Sequence, residues 1–430
     1  MAPESEPRAR SSAWRRFAVP LLRLAGGVGA AAIGTYVYLI VVARDLGPAG
    51  YATFSGFWAV VVILGAGVYL PIEQETGRRG VDVRDLGVPR RSLGRSAVLA
   101  ALVVTAALAA LLLASWPVVD EFLGSDVVLA AALVLGAVGY AVQYPVRGLL
   151  SAERRYGWYA SVLGAEALLR VVLVLALVAL ADPGPGVLAG VVGAAALGSA
   201  VVGLAGARSG GLRLAVSPMT LLRSTGVLIT GAVALQTLLY GAVLVGRLLP
   251  PEGQEEAAGR LLAAITVTRI PIFLFQSLEA LVVPRIAELA LRGDVPVLVA
   301  AVRRLVLLVA ALGAATVLGS ALAGPALVSL MFGADFTVSH TTMALLGLGT
   351  GVFMVAVALS DVTVSLGGHV RMALSWMAGL VAGALSLLVI PGFDLQVTLP
   401  LVIGSVVAAG LLGRAAQVRV QGLAVPAAGR

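Results

Sequence analysis

Apolar runs of bilayer-crossing length decide what this chain can fold into. A helix needs about 20 apolar residues to cross the hydrocarbon core of a membrane. Such runs recur at 20–43, 50–72, 96–119, 127–147, 159–181 and 187–206, and again at 224–247, 261–283, 305–323, 341–363, 372–391 and 397–414. They predict an all-α polytopic membrane protein of about twelve transmembrane helices. Composition agrees, with 60% of residues hydrophobic and 12% charged. An ordinary soluble domain carries about 25% charge. No loop is long enough to hold a soluble domain, and the mixed stretches 284–304 and 324–341 leave room for short interfacial helices that would alter the count.

The arginines test this count. All 30 basic residues are arginine, and net charge is +8. On a soluble protein that balance would suggest nucleic acid; here the arginines sit mostly in short connections, where they report topology instead. With the N-terminus in the cytoplasm and loops alternating, all but five fall on the cytoplasmic side, from Arg8, Arg10, Arg15 and Arg16 through Arg147 and Arg154 to Arg419. The five are Arg44, Arg247 and Arg260 in outer loops, and Arg170 and Arg269 within spans. A wrong helix count would scramble the alternation, so both termini are expected inside. The basic start leads into a run reaching Ala43, too long for a signal peptide and expected to stay as the first helix. Absence of cysteine excludes disulfides and thiolate chemistry.

The sequence carries a trace of duplication. Arg44-Asp45-Leu46-Gly47-Pro48-Ala49-Gly50 and Arg247-Leu248-Leu249-Pro250-Pro251-Glu252-Gly253 share the pattern Arg-x-Leu-x-Pro-x-Gly. Both stand at the outer end of the first helix of a six-helix half, as parallel repeats require. The expected organisation is an N-terminal six-helix bundle at 1–206 with a basic tail, a cytoplasmic linker at 207–223, a second bundle at 224–416 and a cytoplasmic tail at 417–430. Asp182-Pro183-Gly184-Pro185-Gly186 reads as a tight helix-breaking turn. Gly379 and Gly383 form a Gly-x-x-x-Gly packing pair.

No catalytic constellation is visible. His340 and His369 stand apart from each other and from carboxylates at ligand spacing, and there is no phosphate-binding Gly-Lys-Ser/Thr loop. An enzyme, a cofactor and a metal site are therefore not expected. The informative residues are ionisable groups inside spans, which normally face a bundle interior or a wet path. Glu166 and Arg170 lie four residues apart, hence on one helical face. They read either as a mutually neutralising structural pair or as part of a ligand site. Arg269 and Glu279 are nearly on one face but about 15 Å apart in height, so Arg269 calls for another anion or a hydrated lumen. Pro271 beside it is expected to loosen the helix. Glu73, Glu75 and Asp361 fall near cytoplasmic ends, where they can hydrate. Gln236 and Gln276 read as inter-helical hydrogen-bonding amides. Arg44 and Arg247 stand at the outer mouths of the two halves, to assist release or to anchor headgroups.

At this point the chain resembles a known family. Ala43-Arg44-Asp45-Leu46-Gly47-Pro48-Ala49-Gly50-Tyr51-Ala52-Thr53-Phe54 is similar to the first outer loop of Wzx-type polysaccharide flippases, members of the MATE-like multidrug/oligosaccharidyl-lipid/polysaccharide exporter (MOP) superfamily. Leu330-Met331-Phe332-Gly333-Ala334-Asp335-Phe336 resembles the loop before the tenth helix, and the likeness continues through Gly367-Gly368 to Ile390-Pro391-Gly392. The resemblance implies a MATE-like fold of two six-helix bundles working by alternating access. It implies a glycan on a polyprenyl diphosphate as cargo, turned from the cytoplasmic to the outer leaflet of a bacterial inner membrane. By position, Arg170 and Arg269, with Glu166 and Glu279, are the candidates to handle the diphosphate. Implied partners are that carrier, membrane lipids, and glycan polymerases or glycosyltransferases, with no nucleic acid. Two alternatives stay open: a cation-coupled multidrug antiporter of the same superfamily, and a non-transporting scaffold of glycan assembly acting through the basic loop 73–95.

Overall fold

The computed structural model describes the backbone at 6–85, 90–207, 217–249 and 256–424. Side chains are described at 26–80, 93–207, 217–249, 256–272, 275, 282 and 285–421. Among these residues the fold is all-α, as the apolar runs require. The helices are α1 Glu6–Val62, α2 Leu70–Asp85, α3 Arg90–Ala114, α4 Trp116–Phe122, α5 Val127–Ala152, α6 Tyr156–Leu180, α7 Pro185–Gly206 and α8 Pro218–Leu248. They continue with α9 Ala257–Thr268, α10 Ile270–Arg292, α11 Val295–Phe332, α12 His340–Ser365, α13 His369–Ser386 and α14 Phe393–Ala424. Among the described residues, nine stretches are long and apolar enough to cross a membrane. The first of them, Gly26–Gly80, holds two passes. It turns at Gly47, whose φ of 63° is left-handed and accessible to glycine without steric cost. The expected eighth and eleventh passes are α9–α10 and α13. Leu180, Leu322 and Leu388 are 86%, 78% and 81% exposed, an arrangement that water penalises and hydrocarbon does not.

Several boundaries differ from the hydropathy reading. The mixed stretches hold no separate interfacial helices: 284–304 is shared between α10 and the start of α11, and α11 runs unbroken to Phe332. The run 96–119 instead divides at Ser115, and Pro117 stands in the first turn of the short α4. Pro185 opens α7 after the expected turn. Of the expected linker, 208–216 lies outside the described residues, as do 86–89 of the basic loop and 425–430 of the tail.

The chain forms two compact units that interleave in sequence. Unit 1 comprises 1–39, 72–116 and 130–224; unit 2 comprises 40–71, 117–129 and 225–430. In unit 1, small residues set helix distances. A Cβ on Gly27 would lie 2.9 Å from Ala160, and one on Gly34 would lie 2.7 Å from Ala167. This seam repeats at seven-residue spacing and brings α1 close to α6, which carries Thr35 and Tyr38 to Arg170. A Cβ on Gly148 would lie 2.6 Å from the Glu73 carbonyl oxygen, so α5 meets α2 beside Arg147. Gly34→Val is expected to cost about 1–3 kcal/mol by overpacking, read as a lower unfolding temperature of the purified protein.

In unit 2, α11 meets α12 where Gly313 and Gly351 face each other. The expected glycine pair also packs: a Cβ on Gly379 would lie 2.6 Å from the Gly404 oxygen, and one on Gly383 would lie 2.8 Å from the Pro400 oxygen. Phe275, Ile286, Leu298, Leu305, Val309, Met354 and Val362 form a buried apolar cluster around these helices.

Candidate functional site

Unit 1 buries a polar ladder between α5 and α6. Tyr140, Gln143, Tyr144 and Arg147 recur along α5 at three- and four-residue steps, so they share one face. From α6 come Tyr159, Glu166 and Arg170. Arg170, 6% exposed, donates through Nη2 to Glu166 Oε1 and through Nη1 to Thr35 Oγ1 at 2.9 Å. Its guanidinium lies 5.8 Å from the Tyr38 ring. Glu166 Oε2 accepts from Gln143 Nε2 at 2.8 Å, and that amide also donates to Ser199 Oγ at 2.7 Å. Glu166 and Arg170 are thus paired, and Glu166 is held from two sides. Buried ion pairs offset their desolvation only when the remaining polar atoms are bonded. Here Arg170 Nε and Gln143 Oε1 are buried and meet no partner among the described residues, which leaves a donor and an acceptor for a polar ligand.

About 16 Å along α6, at 1.5 Å per residue, lies a second cluster. Arg147 Nη2 is 3.1 Å from Glu73 Oε2 and donates to the Tyr159 hydroxyl at 2.9 Å. That hydroxyl donates to Glu73 Oε1 at 2.6 Å. The guanidinium sits 4.6 Å from the Tyr144 ring centre and 5.2 Å from that of Tyr159. A cavity of about 170 Å³ lined by Glu73, Gln74, Ser151, Tyr156 and Tyr159 opens on the cluster. This corrects the reading of Arg147 as a loop cation and of Glu73 as a hydrated end group. Because α5 continues to Ala152, both are buried, at 9% and 6% exposure. Glu75 is likewise engaged, by Arg78, Arg79 and Ser224.

Unit 2 places Arg269 at the break between α9 and α10, where Pro271 stands in the first turn of α10. It is 9% exposed, donates through Nη2 to the Leu239 carbonyl, and lies 4.0 Å from the Tyr240 ring centre. The side chains of Glu279 and Gln276 lie outside the described residues. Gln236 Oε1 is buried and meets no donor among the described residues.

Arg44 and Arg247 both reach backbone carbonyls. Arg44 donates to the carbonyls of Met331 and Leu330, at the end of α11. Arg247 donates to those of Phe122 and Glu121, at the end of α4. Terminal helix carbonyls lack intrahelical donors and carry the negative end of the macrodipole, so both arginines act as helix caps.

Solved structures with this arrangement are transporters. An inward-facing multidrug resistance MATE family transporter of the MOP superfamily superposes with a TM-score of 0.72 over 93% of this chain and 96% of that one, at 16% identity. The chain has the MATE fold. The eukaryotic MATE transporter AtDTX14 superposes at 0.61 over 95% of this chain and 99% of that one, at 17% identity. An outward-facing multidrug resistance MATE family transporter superposes at 0.60 over 94% and 96%, at 15% identity. In sequence, the chain is 26% identical over 410 residues to uncharacterized protein Rv1510 of Mycobacterium tuberculosis strain H37Rv, covering 91% of this chain and 90% of that protein. Uncharacterized protein MT1558/MT1560 of strain CDC 1551 gives the same values. No family model matches.

Sequence reasoning missed Gln143, Tyr159, Ser199, Thr35 and Tyr38. The signal for the first was present: a polar stripe on one face of an apolar span, from Tyr140 to Arg147.

Proposed function

We propose that this chain is a bacterial inner-membrane flippase, with both termini cytoplasmic, that turns a polyprenyl-diphosphate-linked oligosaccharide to the outer leaflet for cell-surface polysaccharide assembly. One observation carries the reading. Three buried guanidinium groups, Arg147, Arg170 and Arg269, each lie against a tyrosine ring within apolar helices. An aromatic ring steadies the flat face of a guanidinium and leaves its edge donors for the bidentate geometry of a phosphate. Arginine in hydrocarbon is costly and marks substrate paths.

In unit 1, Glu166 serves as the resident counter-ion of Arg170. An incoming phosphate takes the Glu166 place on the guanidinium, gains Arg170 Nε, and leaves Glu166 on the Gln143 amide. The cargo is thereby exchanged for an internal carboxylate, which the neutral Gln143 amide alone holds until the cargo leaves and the pair re-forms. Glu73, Glu75 and Glu166 already bond arginine, which weighs against these carboxylates serving a cationic drug. Arg269 offers unit 2 a comparable phosphate contact.

The test uses purified protein in lipid nanodiscs and a fluorescent short-chain polyprenyl diphosphate. Saturable binding is expected, displaced by unlabelled polyprenyl diphosphate and unaffected by tetraphenylphosphonium. Binding of the cation with no binding of the diphosphate would favour the multidrug reading. Absence of both would turn attention to a scaffold that recruits glycan-assembly enzymes.

A further inference from the structure

The caps made by Arg44 and Arg247 are the same contact made twice. Arg44 Nε donates to Met331 at 2.9 Å and Nη2 to Leu330 at 2.7 Å. Arg247 Nε donates to Phe122 at 2.9 Å, and Nη2 lies 3.5 Å from the Glu121 carbonyl. The acceptors fall in one register: Glu121-Phe122-Leu123-Gly124-Ser125-Asp126 aligns with Leu330-Met331-Phe332-Gly333-Ala334-Asp335, glycine on glycine and aspartate on aspartate. Both glycines have positive φ, 68° and 120°. The exchange is reciprocal. Each arginine ends the first pass of its own half-repeat, and each acceptor follows the third pass of the other. Matching donors, matching acceptors and matching atoms in two halves are what a duplicated ancestor with a symmetric contact would leave.

All four segments lie in unit 2, which draws 40–71 and 117–129 of the first half together with the second. The same end is closed by other contacts. Tyr51 lies 5.7 Å from Phe54, 6.2 Å from Phe332 and 5.7 Å from Phe336, ring centre to ring centre, and all four are buried. At Gly259 the start of the eighth pass comes so near the start of the second that a Cβ would lie 2.3 Å from the Pro48 oxygen.

We propose that Arg44 and Arg247 are the two symmetric latches of a gate, holding the half-repeats together at their outer ends and letting go for the cargo to leave. Three properties suit them to it. A guanidinium bonding two consecutive carbonyls fixes direction as well as distance. The acceptors are backbone atoms, so release leaves no buried charge behind. Arg44 is exposed and Arg247 half-buried, so water replaces the carbonyl partners most readily at Arg44 when the latch opens, which keeps the bond reversible. The inference rests on the transport reading and its orientation, but not on the cargo.

The chain has no cysteine, so a single introduced thiol reports alone. Ser55, wholly buried in the second pass eleven residues after Arg44, becomes the reporter as Ser55→Cys, probed with a membrane-impermeant maleimide on right-side-out vesicles without any cargo. Labelling is expected to be slow with both arginines present and about tenfold faster in Arg44→Ala/Arg247→Ala, an opening shift of the size such hydrogen bonds supply. Single variants should fall between. Gly259→Ala, which wedges the same end while leaving both arginines, should also speed labelling. Arg260→Ala removes an arginine that pairs with Glu256 at this end and should leave the rate unchanged. A double-latch rate equal to that of Arg260→Ala would overturn the proposal, as would acceleration by only one of the two arginines. Because no carrier is present, these results stand whether or not a polyprenyl diphosphate binds.

Discussion

Converting Glu166 and Arg170 together to glutamine is expected to leave a folded protein that no longer binds the diphosphate. The affinity loss should be at least about thirty-fold, since truncating a buried charged partner costs about 2–5 kcal/mol. The double variant separates the two meanings of the pair. If Arg170 and Glu166 only neutralise each other, removing both charges restores a satisfied core and transport survives. If Arg170 holds cargo, stability survives and binding does not. Glu166→Gln alone sharpens the contrast. It removes the internal competitor, so diphosphate binding should tighten while the outward step slows, because the guanidinium has no carboxylate to return to. Binding of the fluorescent carrier in nanodiscs, alongside unfolding temperature, reads both quantities.

The second large effect concerns stability. Arg147→Met leaves Glu73 buried with its charge uncompensated, and breaking a buried pair this way costs about 3–5 kcal/mol. Tyr159 still donates to Glu73 Oε1, which blunts the loss without removing it. Glu73→Gln/Arg147→Met should recover most of the stability, because a neutral, filled core replaces the pair. Thermal unfolding of the detergent-solubilised variants measures both. A single variant as stable as the parent would mean that water reaches Glu73 freely, through the cavity beside Ser151 and Tyr156.

The sequence and the structure agree where the signal is local. The Asp182–Gly186 turn follows from two prolines and two glycines, and Pro185 indeed starts α7. The Glu166–Arg170 pair was legible because i,i+4 spacing on one helix needs no knowledge of any other helix. Hydropathy misjudged α11 because it stops at Arg303 and Arg304, whereas a helix continues through charges into water. It merged α3 and α4 because Pro117 stands in an apolar run, where a helix break leaves no mark in polarity. The Glu73–Arg147–Tyr159 cluster was hidden for another reason: its members come from α2, α5 and α6, and one sequence does not say which helices are neighbours. The acceptors of Arg44 and Arg247 were hidden most deeply, since a backbone carbonyl has no side-chain signature.

The proposed flippase carries a diphosphate-linked glycan across the membrane using Arg170. The direct measurement is the leaflet on which that carrier is displayed, read with an outside-only glycan probe on cells depleted of the protein and rescued with wild type or with Glu166→Gln/Arg170→Gln. Inward accumulation relieved by wild type, and not by the correctly inserted double variant, is the predicted result. Outward display that is unchanged by depletion, or fully restored by the double variant, would contradict it.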